Sequence, residues 1–386
     1  MHSWKNGTPI GQRSPGRFSG MKPLRVVDPK NRGGVILGLR EALDGGDALC
    51  VSESPIGIDQ VPDDCAVVVL TSGSTAAPKR VALSAAALKA SARATANAIG
   101  SGNWVLALPV TYIAGLMVMV RALEAETDTV EYGEETFLAD AFERLTTNLP
   151  AGDWYTSLVP AQLSRLVDAA ELGVIAPTIL GRYSAILVGG QAIPPGLIDR
   201  ATALGARIVR SYGSAETAGG VVYDGLPIGD AQLRLTDDGI LEVSSATLAS
   251  GYIGDDTRTA ASFVDGWFRT TDRARFDNGR LVIEGRADDI IVSGGVKVSL
   301  ADIERVLAES GIDTVASWFP DDEWGQVPAL VSTNPLDLDK VRRVVEVALG
   351  KAARPYRAVI VDTIPMLSSG KVDRIAVHEI VRAAQP

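Results

Sequence analysis

Residues 70–79 read Leu70-Thr71-Ser72-Gly73-Ser74-Thr75-Ala76-Ala77-Pro78-Lys79, hydroxyls, a glycine and a lysine placed directly after the apolar stretch 66–70. That stretch has the composition of a buried strand. A strand that enters a Gly/Ser/Thr loop gathers backbone N–H groups and hydroxyls into a concavity suited to phosphate oxygens. Lys79 adds a point charge and Pro78 stiffens the exit. The loop is not of the Walker type, because neither Gly350-Lys351 nor Gly370-Lys371 has a glycine five positions earlier. Taken alone, the segment could also be an ordinary polar turn.

Four further segments carry groups that a phosphate loop would need around it. Ser211-Tyr212-Gly213-Ser214-Ala215-Glu216-Thr217 follows a short strand-like run, 207–210. Its side chains would stand at the carboxyl edge of a sheet, where open α/β sheets bind ligands. Glu216 could hold Mg²⁺, which prefers carboxylate and phosphate oxygens, and Tyr212 could lie against a purine; a strand-end turn with a solvated glutamate fits as well. Trp267-Phe268-Arg269-Thr270-Thr271-Asp272 ends in a carboxylate able to accept two hydrogen bonds from a ribose diol, or in a plain turn aspartate. Residues 285–297 place Arg286, suited to phosphate or ribose, ahead of Asp288, Gly294, Gly295 and Lys297, a small-residue run fit for a hinge or a narrow tunnel wall. Pro365-Met366-Leu367-Ser368-Ser369-Gly370-Lys371-Val372-Asp373-Arg374 presents Lys371 on a Gly-bearing loop, which in isolation is a solvated lysine at a helix start.

The chain as a whole narrows the chemistry. Of 386 residues only His2 and His378 are histidine; neither is placed for a Ser-His-Asp triad, and no His cluster could make a zinc site. An enzyme built this way must use lysine, metal-bound phosphate or backbone dipoles. The net charge of −10 argues against a nucleic-acid partner, which demands a dense basic surface, but ATP needs only local positive charge. Cys50 and Cys65 fit a reducing cytoplasm. No apolar run reaches the ~18 residues of a membrane span; the longest, 113–120, ends at Arg121. The first 20 residues lack the apolar centre of a signal peptide and have the composition of a disordered tail, with Met21 a candidate start.

Residues 65–222 alternate strand-like and helix-like runs: strand 66–70, helix 85–98 with Ser84 as N-cap, strand 104–109, helix 114–125, helical periodicity over 157–170, strands 184–188 and 207–210. The rhythm predicts an α/β unit with mostly parallel sheet and helices on both faces. Residues 228–285 change to short alternating runs, 232–235, 240–244 and 280–284, broken by Asp-Gly and Asn-Gly turns, which predicts a small β-rich subdomain. From residue 300 a compact α+β unit follows: helix 300–310, strands 314–319 and 328–332, helix 336–349, strand 358–361 and helix 372–384.

In this order the five segments resemble the acyl-adenylate-forming family of acyl- and aryl-CoA synthetases, peptide-synthetase adenylation domains and firefly luciferases. The patterns T-S-G-S-T-x-x-P-K, Y-G-x-x-E-T, F-x-T-x-D, G-R-x-D-D and P-x-x-x-x-G-K-x-x-R span residues 70–374. The resemblance implies a large N-terminal domain, 1–287, and a small mobile C-terminal domain, 288–386, hinged at Asp288. It implies that Thr71, Ser72, Gly73, Ser74, Thr75 and Lys79 embrace the ATP triphosphate and that Gly190, Gln191, Ser211, Tyr212 and Gly213 frame the adenine. Glu216 and Thr75 would contribute to Mg²⁺ binding, Asp272 would hold the ribose hydroxyls and Arg286 would contact ribose or phosphate. Lys371 would bridge the attacking carboxylate and the α-phosphate. Tyr112, Gly115, Gly189, Ser214 and Thr217 would surround the acid, and Gly294, Gly295 and Lys297 would serve the thioester step with CoA. The chain departs from the pattern at Ala76-Ala77, where Thr-Gly is usual, at Ala215 in place of Thr, and at Thr271 in place of Gly.

The chain is short for that family, and three segments resemble the o-succinylbenzoate–CoA ligases of menaquinone biosynthesis: residues 106–116 with Arg121, 156–163 and 186–194. Core packing accounts for much of each. Residues 107–116 contain no acidic group to receive an α-amine, which disfavours an amino-acid substrate. The expected partners are therefore a small carboxylate, ATP and CoA in a cytoplasmic enzyme; a homodimer stays open. A CoA ligase for another aryl or short acyl carboxylate, a carrier-protein ligase, or a non-catalytic acyl-adenylate sensor are the alternatives.

Overall fold

A computed structural model describes residues 20–71, 78–133, 136–367 and 371–384, apart from the side chain of Asp288. The expected positions Ser72, Gly73, Ser74 and Thr75 lie outside the described residues.

The alternation over 65–222 does not build one sheet. Strand Cys65–Thr71 lies parallel to Ala48–Val51, which is parallel to Met21–Val27. Strand Lys79–Ser84 returns antiparallel directly after the loop, because seven residues are too few for the crossover a parallel strand requires. With Gln60–Pro62 and Gly251–Tyr252 at its edges, this makes a six-stranded sheet. The later strands form a seven-stranded sheet in which Thr129–Glu131, Asn103–Leu106, Trp154–Leu158, Ala185–Gly189 and Ile208–Ser214 run parallel. Gly219–Tyr223 and Leu226–Pro227 add an antiparallel edge.

Helices Arg32–Leu43, Ala85–Ile99 and Ile113–Ala125 fill the space between the two sheets. One apolar cluster joins Val67, Leu83, Leu88, Met117, Leu106 and Leu187 across that layer. A helix buried on all sides must be apolar all round, and Gly115 to Ala122 are all buried, Arg121 among them. Ser84 caps its helix as expected, its side chain accepting from the N–H of Ala87. The periodicity over 157–170 resolves into the end of a strand and a separate helix, Pro160–Glu171; Pro160 at its first position sets the start.

The β-rich subdomain pairs Gln232–Leu235, Ile240–Ser244, Trp267–Asp277, Phe263–Val264 and Arg280–Arg286, all antiparallel. The last unit is a five-stranded sheet with helices Leu300–Glu309 and Leu338–Leu349 over one core and Arg374–Ala383 over another. Its first two strands, Ile290–Ser293 and Val296–Ser299, form a hairpin through Gly294 and Gly295, both at positive φ (56° and 80°), as a two-residue turn that follows strand twist requires.

Close backbone approaches fix the edge where the seven-stranded sheet ends. A Cβ on Gly189 would lie 2.2 Å from the Ser211 carbonyl oxygen, and one on Gly213 would lie 2.0 Å from that of Gly219. Gly213→Ala is expected to force this backbone apart at a cost of about 1–3 kcal/mol, read as a lowered Tm.

Candidate active site

The carboxyl ends of Ala185–Gly189 and Ile208–Ser214 stand side by side, Ser211 paired with Gly189. Beyond them the chain makes a single short turn, Ala215–Thr217, that carries Glu216. The turn is tied from several directions. Thr217 Oγ1 accepts from the Ser214 N–H at 2.9 Å, and it lies 2.7 Å from the Gly219 carbonyl oxygen. Ser91, on the helix behind, donates to the Ala218 carbonyl at 2.7 Å, and the Ala249 N–H bonds the Glu216 carbonyl at 2.8 Å. The Tyr252 hydroxyl donates to Glu216 Oε1 at 2.9 Å. Glu216 is buried, 8% exposed. Burial and the adjacent carboxylate push the Tyr252 phenol far above its ordinary range, holding it protonated as a donor. The Lys79 ammonium lies 5.5 Å from the Tyr252 ring centroid, so this ring links Lys79 to Glu216.

Asp272 arrives from the β-rich subdomain, opposite Arg286 in the ladder of Trp267–Asp277 and Arg280–Arg286. Tyr212 donates its hydroxyl to Asp272 Oδ2 at 2.6 Å, and burial together with the Asp272 charge raises the Tyr212 pKa well above normal. The Thr270 hydroxyl accepts the Asp272 N–H at 3.0 Å.

Lys371 enters from the C-terminal unit. An ideal Cβ on Gly190 (φ 84°) would lie 3.4 Å from Lys371 Cε, and no side chain intervenes there. The residue as a whole is exposed, but its ammonium lies against the backbone at Gly190 and is largely shielded from water. That loss of water and the charge of Arg286 lower its pKa, and Asp272 and Glu216 pull the other way. The fold thus brings Glu216, Asp272, Arg286 and Lys371 within mutual electrostatic reach, although they are up to 155 positions apart in sequence.

The remaining expected positions divide. Thr71 pairs with Lys79 where strands Cys65–Thr71 and Lys79–Ser84 meet. Gln191 is partly buried just beyond Gly190. Tyr112 immediately precedes helix Ile113–Ala125, and Gly115 lets that helix approach the Pro109 carbonyl, which a Cβ would meet at 2.3 Å. The Ser214 hydroxyl is buried with no hydrogen-bond partner among the described residues. Gly294 packs against the Trp324 ring of its own unit and Lys297 is exposed.

One charged group had no role in the sequence reading beyond its place in a motif. Among the described residues, Arg121 and Glu216 are the only charged side chains in the buried class. Arg121 is 6% exposed, lies 5.0 Å from the Trp104 ring centroid, and its Nε has no hydrogen-bond partner among the described residues. Burial lowers its pKa, which Tyr223 opposes. An arginine closing the longest apolar run, inside helix Ile113–Ala125, was the available signal. Tyr252 gave none, lying outside every motif.

Tyr212→Phe removes a hydrogen bond to a carboxylate, a loss of about 1.5–3 kcal/mol; differential scanning calorimetry should record a lower Tm, and Tyr252→Phe should do the same through Glu216.

Comparison with known proteins fits this geometry. The model of the AMP-binding enzyme family matches residues 33–241. A probable 2-succinylbenzoate–CoA ligase of Mycobacterium tuberculosis is 37% identical over 383 residues, covering 92% of this chain and 97% of the relative. The 2-succinylbenzoate–CoA ligase of Listeria monocytogenes is 31% identical over 337 residues, 81% of this chain and 70% of the relative. The solved o-succinylbenzoate CoA synthetase (MenE) of Bacillus subtilis, in complex with the acyl-adenylate intermediate OSB-AMP, shares the fold, with a TM-score of 0.73 and 22% identity over 92% of this chain and 82% of that one. The chain belongs to the AMP-binding enzyme family and stands among its 2-succinylbenzoate–CoA ligases.

Proposed function

We propose that the chain is an AMP-forming acid–thiol ligase that activates 2-succinylbenzoate with ATP and transfers the acyl group to CoA, a step of menaquinone biosynthesis carried out in the cytoplasm. The observation that carries this reading is the convergence of Lys371 on Glu216, Asp272 and Arg286 at the sheet edge. In the first step a substrate carboxylate oxygen attacks the α-phosphorus, the bond to the β-phosphate oxygen breaks and pyrophosphate leaves. In the second the CoA sulfur attacks the acyl carbon, AMP leaves and the thiol proton passes to solvent.

The attacking carboxylate is already ionised at neutral pH, so no general base is required. The obstacle is repulsion between two anions, and fixed cations remove it. Lys371 binds the carboxylate and the α-phosphate together. Asp272, aligned by Tyr212, accepts the ribose hydroxyls, and Arg286 contacts ribose or phosphate. Lys79 meets the outer phosphates. Glu216 suits Mg²⁺, a buried carboxylate with only Oε1 bonded among the described residues, and the ion when bound neutralises phosphate charge. We further propose the division into domains 1–287 and 288–386, with Asp288 as hinge and the Gly294-Gly295 hairpin and Lys297 acting in the thioester step.

2-Succinylbenzoate carries a second carboxylate, and Arg121 is a buried cation with no carboxylate in contact among the described residues. It lies close beside Gly219, at the floor formed with Gly213. Pairing the substrate's second charge with Arg121 would satisfy both.

ATP–pyrophosphate exchange with 2-succinylbenzoate, benzoate and a short fatty acid tests the reading. Exchange is expected with 2-succinylbenzoate and reduced at least about 10²-fold in Lys371→Ala. Exchange only with another acid would move the substrate; ATP binding without any exchange would indicate a sensor. Arg121→Met should raise KM for 2-succinylbenzoate by about 10-fold or more, the value of a hydrogen bond between charged groups, and leave benzoate unaffected. An equal loss with both acids would make Arg121 a packing residue. Lys371 must be protonated to act and its pKa is lowered, so activity should fall as pH rises through a value below the ordinary 10.5 of lysine. Lys371→Arg should remove that alkaline limb.

A further inference from the structure

Lys371 sits on a turn closed by a bridge between Met366 and Val372, and helix Arg374–Ala383 begins three residues later. Backbone bonds from Leu367 N–H to the Lys371 carbonyl and from Asp373 N–H to the Pro365 carbonyl hold it locally, and a fork of side-chain hydrogen bonds just beyond it ties it to the rest of the unit. Arg374 Nη1 and Nη2 donate to Glu304 Oε1 and Oε2 at 2.5 and 2.8 Å, a bidentate pair, and Nη1 also reaches the Ala316 carbonyl at 3.2 Å. Glu304 Oε1 in turn accepts the Ala316 N–H at 2.7 Å. One carboxylate on helix Leu300–Glu309 thereby joins the edge of strand Val315–Asp321 to the lysine turn. The same helix begins against the β-rich subdomain, where a Cβ on Gly285 would lie 2.9 Å from Ala301 Cβ. The chain of contact therefore runs from Gly285, beside Arg286, through the helix and Glu304 to Arg374 and Lys371. The Arg374 charge also feels Asp289 and Arg286, at the junction of the two units.

We propose that Arg374 and Glu304 are positioning residues for adenylation: their bidentate pair sets the Lys371 turn at the height where its ammonium reaches the Gly190 floor. The assignment rests on the ligase reading above. It confines the effect to one half-reaction, since the hydrogen bonds of the pair go to each other and to Ala316, not to the Gly294-Gly295 hairpin or Lys297. A bidentate fork fixes direction as well as distance, and a misplacement of about 1 Å can cost 10²-fold in rate.

The test separates the two half-reactions in the full chain. Wild-type ATP–pyrophosphate exchange is measured first; none with any acid overturns the ligase reading and the proposal with it. Given exchange, Arg374→Ala and Glu304→Gln should each lower its kcat about 10- to 100-fold, leaving the KM for ATP and the rate of CoA thioester formation from supplied acyl-adenylate within about 3-fold of wild type. Arg374→Lys keeps the charge without the fork and should stay defective, and the exchanged pair Arg374→Glu with Glu304→Arg should recover part of the rate. Undiminished exchange, or an equal fall of both half-reactions with a lowered Tm, overturns the proposal. Full rescue by Arg374→Lys overturns it too, because charge alone would then suffice.

Discussion

The ammonium of Lys371 and the guanidinium of Arg286 repel one another across the cleft, and the carboxylates of Asp272 and Glu216 offset that repulsion. No one of the four could stay long in this place without the others, since a partly dehydrated charge must be balanced. The balance also explains the hydrogen bonding around it. Each carboxylate is fastened on one oxygen by a tyrosine whose own ionisation is suppressed, Tyr212 at Asp272 and Tyr252 at Glu216. A phenol held neutral directs an anion without cancelling it, leaving the carboxylate its charge for a ligand.

The rest of the architecture serves to bring these groups together from different units. The seven-stranded sheet supplies the floor, and its glycines permit the close strand contacts that keep the floor flat. Glu216 is braced by a helix hydroxyl and by backbone from residue 249. Asp272 and Arg286 need only adjacent strands of one antiparallel ladder, which makes their pairing a local matter. Lys371 is the member of the four that the C-terminal unit supplies, and burial and the charge of Arg286 lower its pKa.

Much of this was legible from residue order. The helix after Ser84, the β-rich subdomain and the succession of elements beyond residue 300 follow from capping chemistry, period-two alternation and turn residues, and these local signals survive in the fold. The motifs located Glu216, Asp272, Arg286 and Lys371 because each is a charge set among small or turn-forming residues. Residues 21–62 escaped because strand Met21–Val27 is mostly exposed and carries no continuous apolar run, the next two strands are short, and helix Arg32–Leu43 contains two buried glycines that blur its pattern. The division into two sheets escaped because it depends on which strand returns antiparallel, a matter of loop length and pairing. Tyr252 could not be recognised because its importance lies in a contact with a residue 36 positions away, and Arg121 showed only as a charge on an apolar run, its contact with Tyr223 lying 102 positions off.

The register that sets Thr71 opposite Lys79 has a consequence for how such a loop can change over time. The lysine's backbone is located by a ladder running back to Cys65 and Ser84, on the far side of a buried sheet, and not by the residues that connect the two strands. Substitutions between them can then drift while the cation keeps its station. Ala76 and Ala77, where relatives of the broader family usually carry Thr-Gly, are changes of that kind. The sheet acts as a ruler, so the sequence between its two strands is free to vary without the charge at its edge ever being displaced.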